Sequence, residues 1–325
     1  MDFAVIFPGQ GSQKVGMGHD LLEPNTNTNI TKDLFKKADE LTSSNLSNIF
    51  LHGPEDELNQ TKNTQPAIIT ISVSLIILLQ ELLNNRNINF KPCACAGHSL
   101  GEFAALWYSG VITMEDLIKT VSIRGNLMQN APEGSMVAAL NLNYEDLNNF
   151  IQAFELKEKI TIANYNSPTQ YIISGEKNAI AIFTEKLKSL KCKAIILPVS
   201  GAFHSYLMEK PAIEFNTELN KLLKTEQEPK IPIYQNLDGN PSKEYHVIIE
   251  KIKKQMISPV LWTQTINNLV LDGVKAFIEV GPGKILTNLR KRITPEADCY
   301  NIFDINSLNE FIKIYEHRLS TIKSK

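Results

Sequence analysis

The stretch ACAGHSLGEFAALWYSG, residues 94–110, decides the fold. The small residues Ala94 to Gly97 fit a short buried strand, and Leu100 to Ser109 carry a helical pattern closed by Gly110. Between them, Gly97-His98-Ser99-Leu100-Gly101 matches G-x-S-x-G at the strand-to-helix junction where a nucleophile elbow belongs. Such a turn thrusts a serine hydroxyl out of the sheet. Glycines two residues to either side let strand and helix approach, and the helix N-terminus favours negative charge nearby. A serine in front of a helix also serves simply as an N-cap; the correct flanks on both sides favour Ser99 as a nucleophile.

Outward from this stretch, strand and helix patterns alternate. Phe3 to Phe7 reads as a strand ending at Pro8-Gly9, and Lys32 to Leu41 as a helix. Pro66 to Leu79, about 14 residues, is the longest apolar run; it is shorter than the roughly 20 that span a bilayer and reads as a buried core helix. This alternation predicts an α/β layer fold around a mainly parallel sheet, here hydrolase-like. The middle differs: strand Met136–Leu142, helix Tyr144–Phe154, strands Ile160–Asn164 and Tyr171–Ser174, helix Lys177–Leu190, strand Lys193–Leu197. That β-α-β-β-α-β order predicts a small ferredoxin-like domain, residues 131–197, inserted into a large domain of residues 1–130 and 198–325. A final helix is expected from about Ser307 to Lys325.

At 325 residues and 36.5 kDa the chain suits a large domain carrying a smaller one, with a core that needs no staples. Apolar residues at 43% and charged residues at 21% exclude a disordered or fibrous chain. With 33 basic against 35 acidic residues, no overall field draws it to nucleic acid or an anionic membrane, and none of either is expected as a partner. The start MDFAVIFPGQ lacks a signal-peptide pattern, so the sequons at Asn29, Asn45 and Asn59 read as chance and the location as cytoplasmic. Cys93, Cys95, Cys192 and Cys299 read as free buried thiols in a reducing compartment, with no second pair to complete a metal site.

A serine hydroxyl needs a base. His204 follows the strand ending near Val199, in the loop Ser200-Gly201-Ala202-Phe203, and strand-end loops carry the chemistry of α/β sheets. A lone histidine is usually only a satisfied polar group, but the order Ser then His fits a hydrolase-like arrangement. The sharp turn should aim His98 elsewhere, in a structural role; the remaining histidines sit in polar, turn-like or tail contexts. The loop Phe7-Pro8-Gly9-Gln10-Gly11-Ser12-Gln13 can offer one oxyanion N–H and Leu100 the other. It is not a phosphate loop, since no Lys-Ser/Thr follows its second glycine; Gly281-Pro282-Gly283-Lys284 fails likewise and reads as a strand-ending turn. Thr113 caps a helix with Asp116 in the reciprocal position, and the apolar stripe Leu117, Val121, Met128 includes Arg124. A core-facing cation is expensive unless paired. Its partner is a structural ion pair elsewhere in the fold or a carboxylate on the substrate.

Taken together, FPGQGSQ, GHSLGE, SIRGNLMQ, NYNSPTQYIISG, PVSGAFHSYLM, QMISPVLWTQ and EVGPGK resemble the malonyl-CoA:acyl carrier protein transacylases, in family order and across nearly the whole chain. GHSLGE alone also fits the acyltransferase domains of polyketide and animal fatty acid synthases. The resemblance implies that Ser99 carries the malonyl ester, His204 is the base held by backbone carbonyls, and the N–H groups of Gln10 and Leu100 form the oxyanion hole. It also implies that Arg124 clamps the malonyl carboxylate, Gln255 orients the site and Asn166 lies near the substrate. The implied substrates are malonyl-CoA and phosphopantetheinylated acyl carrier protein, in fatty acid biosynthesis, with no cofactor or metal and a monomeric enzyme. The bulky Phe203 beside the base is a departure where relatives vary. A surface patch of Lys284, Arg290, Lys291 and Arg292 could meet an acidic carrier, or be only a solvated helix face. A serine hydrolase or thioesterase acting on acyl-CoA shares the elbow without needing the carboxylate clamp; an acyl-binding scaffold would keep the fold without turnover.

Overall fold

The computed structural model describes residues 2–23, 28–153, 156–189, 192–199 and 201–323. Ser200, and the expected helix ends at Phe154, Leu190 and Lys325, lie outside them. Strands β1 (Phe3–Phe7), β2 (Ala94–Gly97), β3 (Ser135–Leu140), β4 (Ile160–Ser167), β5 (Gln170–Gly175), β6 (Lys193–Ile196), β7 (Ile233–Tyr234), β8 (Pro241–Ser242), β9 (Ala276–Val280) and β10 (Asp298–Ile302) form two sheets.

The larger sheet runs β10-β9-β1-β2-β7-β8. All its pairings are parallel except β7 with the short edge strand β8. Its faces follow from the period-two alternation of FAVIF. Phe3, Val5 and Phe7 enter one core with helices Thr61–Asn84, Gly101–Ser109 and Met114–Gln129. Ala4 and Ile6 enter the other, against helices Trp262–Leu271 and Ile285–Ile293. Burial on both faces is why its strands read as continuous apolar runs.

The second sheet is antiparallel, in the order β4-β5-β3-β6, with helices Tyr144–Ala153 and Lys177–Ser189 on one face over their own core. This is the ferredoxin-like arrangement. Its edge is stitched to the larger unit: Tyr165 N–H donates to the Val260 carbonyl at 2.9 Å, and Val260 N–H to Ala163 at 2.8 Å.

Several bounds differ from the sequence reading. β3 stops at Leu140 because Asn141 turns left-handed (φ 60°). The core helix is 24 residues, not about 14, and Pro66 lies inside it. Its polar first turn is held from outside: Thr61 N–H donates to Gln129 Oε1 at 2.7 Å. That helix is long and apolar enough to cross a membrane, with a mean hydropathy of 2.0 over its best window, but 78% of that window is buried in the fold. Of the cysteines only Cys95 is buried; Cys93 is exposed, and Cys192 and Cys299 are half-buried. Cys93 precedes β2 and so escapes the sheet's cover.

Candidate active site

The C-terminal ends of β1 and β2, adjacent and central in the sheet, place their loops in the crevice where α/β folds bind ligands. After β2 the chain turns sharply, and Ser99 is left-handed (φ 49°). That conformation costs a serine about 1–3 kcal/mol and persists only if its surroundings impose it. Asn236 imposes it: its Oδ1 accepts the Ser99 N–H at 2.6 Å, and its Nδ2 donates to the Gly97 carbonyl at 2.6 Å. The glycines are required by contact. A Cβ on Gly97 would lie 2.0 Å from the Gly101 carbonyl, and one on Gly101 would lie 2.1 Å from the Phe7 carbonyl oxygen. The helix begins at Gly101 with Leu100 at its N-cap, so Ser99 Oγ does not serve as the cap.

Ser99 Oγ instead donates to His204 Nε2 at 2.7 Å. His204 is also left-handed (φ 57°) and buried, and its Nδ1–H is shared between the carbonyls of Gln255 and Ser258, each at 3.0 Å. These carbonyls fix the tautomer that leaves Nε2 free to accept a proton. Ser258 lies two residues before Val260, so the seam to the small sheet also anchors the imidazole. Burial, then the nearby Arg124 charge, lowers the His204 pKa to about 3, keeping the ring neutral.

Arg124 is 1% exposed, on the apolar stripe of its helix. Its contacts are neutral. Nη1 donates to Gln65 Oε1 at 2.9 Å, and Nη2 to Gln255 Oε1 at 3.0 Å and Ser99 Oγ at 3.2 Å. The Phe103 ring lies 5.4 Å from the guanidinium, and Nε has no partner among the described residues. No carboxylate makes a salt bridge with it among the described residues. Burial lowers its pKa to about 10, so it stays charged at neutral pH. The site therefore holds a cation beside the serine hydroxyl with no carboxylate in direct contact; the nearest acid acting on it, Glu102, is reached through Gln255.

Gln255 ties these groups together, its Nε2 donating to the Ser99 carbonyl at 2.9 Å and to Glu102 Oε2 at 2.7 Å. The N–H groups of Gln10 and Leu100 donate to no protein acceptor among the described residues. Asn166, on β4, is one residue removed from the centre: its Oδ1 accepts from His98 Nε2 at 2.8 Å, and the His98 ring packs 5.5 Å from Trp262. Phe203 is buried in the main core.

Sequence reasoning missed Gln65, Glu102 and Asn236. Glu102 alone carried a signal, an acid on the buried face of an apolar helix. One expectation about charge changes. Arg290 is 5% exposed and spends its Nη1 on the carbonyls of Thr294, Pro295 and Ala297, closing its own helix rather than joining a surface patch. Lys284, Lys291 and Arg292 are exposed; Lys284 sits 4.6 Å from the Phe303 ring, and Arg292 donates to Gln170.

A serine hydroxyl bonded to a carbonyl-held imidazole on a parallel sheet is an arrangement that can carry acyl transfer. Residues 4–301 match the acyl transferase domain family, and the chain belongs to it and is an acyltransferase. Within that class it is similar to the malonyl CoA-acyl carrier protein transacylase of Haemophilus influenzae, 39% identical over 312 residues, 94% of this chain and 97% of that protein. The Staphylococcus aureus protein of the same name is 37% identical over 315 residues, covering 94% and 98%. Among solved structures, the Clostridium perfringens malonyl CoA-acyl carrier protein transacylase superposes with a TM-score of 0.88 at 32% identity, covering 99% of this chain and 100% of that one. A malonyl-transacylase in complex with a type II polyketide acyl-carrier protein gives 0.86 at 32% identity, covering 95% and 98%.

Proposed function

We propose that this chain transfers the malonyl group from malonyl-CoA to the phosphopantetheine thiol of acyl carrier protein, in fatty acid synthesis, through a malonyl ester on Ser99. The observation that carries the reading is the buried Arg124, charged, held by two amide oxygens and by the Ser99 hydroxyl at 3.2 Å. A hydrolase of simple acyl groups has no use for such a cation, whereas a malonyl group supplies the missing carboxylate, matched to the planar guanidinium.

His204 Nε2 takes the Ser99 proton as Oγ attacks the thioester carbonyl. The N–H groups of Gln10 and Leu100 hold the resulting oxyanion, each worth about 3 kcal/mol of barrier. The intermediate collapses, the C–S bond breaks, and the coenzyme A thiolate leaves with the proton from His204. The carrier's thiol then gives its proton to His204, attacks the ester, and Ser99 Oγ is reprotonated. In the empty site Arg124 opposes a second cation on His204. Burial is the larger cause of the lowered His204 pKa and persists; a bound malonyl carboxylate offsets the Arg124 part and so raises the basicity of the base. The same reading divides the chain into a large domain, residues 1–130 and 198–325, and a small one, residues 131–197; a separate core under the second sheet supports this. On this reading the enzyme is cytoplasmic and monomeric, with Asn166 near the substrate and His98 bracing it.

Intact-mass spectrometry after mixing with malonyl-CoA tests the reading. A malonyl adduct is expected on the wild type and on no Ser99→Ala protein, and it should move to added carrier protein. Free malonate as the main product would instead establish a hydrolase.

A further inference from the structure

Glu102 has no part in the chemistry above, yet it is 1% exposed and lies one helical turn beyond the nucleophile. A buried acid with no cation in salt-bridge contact is costly. Its hydrogen bonds explain its presence. Oε1 accepts the backbone N–H of Asn236 at 3.3 Å, the residue whose side chain clamps the Ser99 amide. Oε2 accepts Gln255 Nε2 at 2.7 Å.

Gln255 has one donor end and one acceptor end. The donor end meets two acceptors, the Ser99 carbonyl and Glu102; the acceptor end meets a donor, Arg124 Nη2. A carboxylate only accepts, so beside Glu102 a single amide orientation is satisfied. We propose that Glu102 is a positioning residue: it locks the Gln255 amide with its oxygen toward Arg124, and so aims the guanidinium at the free carboxylate of the incoming acyl group. This rests on the malonyl-transfer reading and assigns the specificity of that site to a residue that touches no substrate.

The near-isosteric Glu102→Gln separates positioning from bulk stability. Its Oε1 can still accept from Asn236, but its nitrogen points a donor at Gln255 Nε2. Whichever way the new amide turns, a donor faces a donor, at Gln255 Nε2 or at the Asn236 N–H, so the Gln255 amide loses a partner and shifts its oxygen away from Arg124. Burial pushes the Glu102 carboxyl up to about 7, so the assay is run near pH 8, where it is ionised. Initial rates of Ser99 acylation by malonyl-CoA and by acetyl-CoA are read by quenched-flow mass spectrometry, alongside the melting temperature. The expected result is a malonyl rate lowered roughly tenfold or more, an acetyl rate lowered much less, and a melting temperature near that of the wild type. Glu102→Asp keeps the charge but is a methylene too short to reach Gln255, and should lose the same preference; it carries the test if Glu102→Gln does not fold. Equal losses toward both thioesters, or an Asp variant with wild-type preference, would overturn the proposal. A wild type that malonyl-CoA does not acylate overturns the transferase reading and the inference together; an acylated wild type with unchanged preference in both variants overturns the inference alone.

Discussion

Arg124 is a full charge whose hydrogen-bonded partners are amide oxygens and a hydroxyl. Arg124→Ala should therefore lower malonyl acylation of Ser99 about a hundredfold, the value of one buried charge-assisted contact, while acetyl acylation changes little; equal losses would make the arginine structural. His204 invites two measurements. His204→Ala should suppress the adduct on Ser99, whereas His98→Ala, which removes a bond to Asn166 and a ring contact with Trp262, should mainly lower stability. The second measurement follows from its pKa of about 3, below the 6.5 of an ordinary histidine. The native ring resists a proton that the unfolded chain accepts. Its contribution to stability is present above about pH 6.5 and is lost as pH falls toward 3, about 2 kcal/mol of it by pH 5. Urea titrations of the wild type and His204→Gln at pH 7 and pH 5 should show that the substitution removes this acid sensitivity.

The strand–elbow–helix unit spanning β2 and the helix Gly101–Ser109 is strained by itself and held by a loop far along the chain. Asn236→Ala leaves the Ser99 N–H and the Gly97 carbonyl without their partner, a loss of about 2–4 kcal/mol, and should slow acylation roughly tenfold as the serine drifts. Calorimetry and the mass assay report the two effects separately. Gly101→Ala drives a methyl group into the Phe7 carbonyl and should cost about 3 kcal/mol or more. Ser99 was legible because its whole context is local: small-residue strand, glycines, helix. Arg124 was legible as a breach of an apolar stripe. Asn236 was not, since it stands 137 residues from the amide it clamps and nothing in QNLDG points there. Gln65 was missed because Pro66 suggested a helix start, while the helix begins at Thr61 and carries Gln65 to Arg124.

At the scale of the molecule, the layer order and the small inserted sheet were readable from periodicity, because each strand and helix announces itself within ten residues or so. Strand order was not, since it depends on pairings between distant segments. Arg290 belongs to the same class of misreading: a cation among cations in sequence, but buried by its fold partners. Whole-molecule stability should also carry the mark of Glu102. Its folded pKa of about 7 exceeds the ordinary 4.5, so the native state holds that proton more tightly than the unfolded one. That contribution is intact below about pH 4.5 and is lost as pH rises through 7, up to about 3 kcal/mol. The stability of Glu102→Gln relative to wild type should accordingly rise between pH 5 and pH 8, and a gap independent of pH would show that the carboxyl is not so perturbed.

The central position of β1 bears on synthesis in the cell. Its second neighbour, β9, begins 273 residues downstream of it. At roughly 5–20 residues per second, FAVIF leaves the ribosome with one edge bare for about 15–50 s before its last neighbour is translated. Nascent-chain capture should therefore find this sticky segment shielded by a chaperone until β9 emerges.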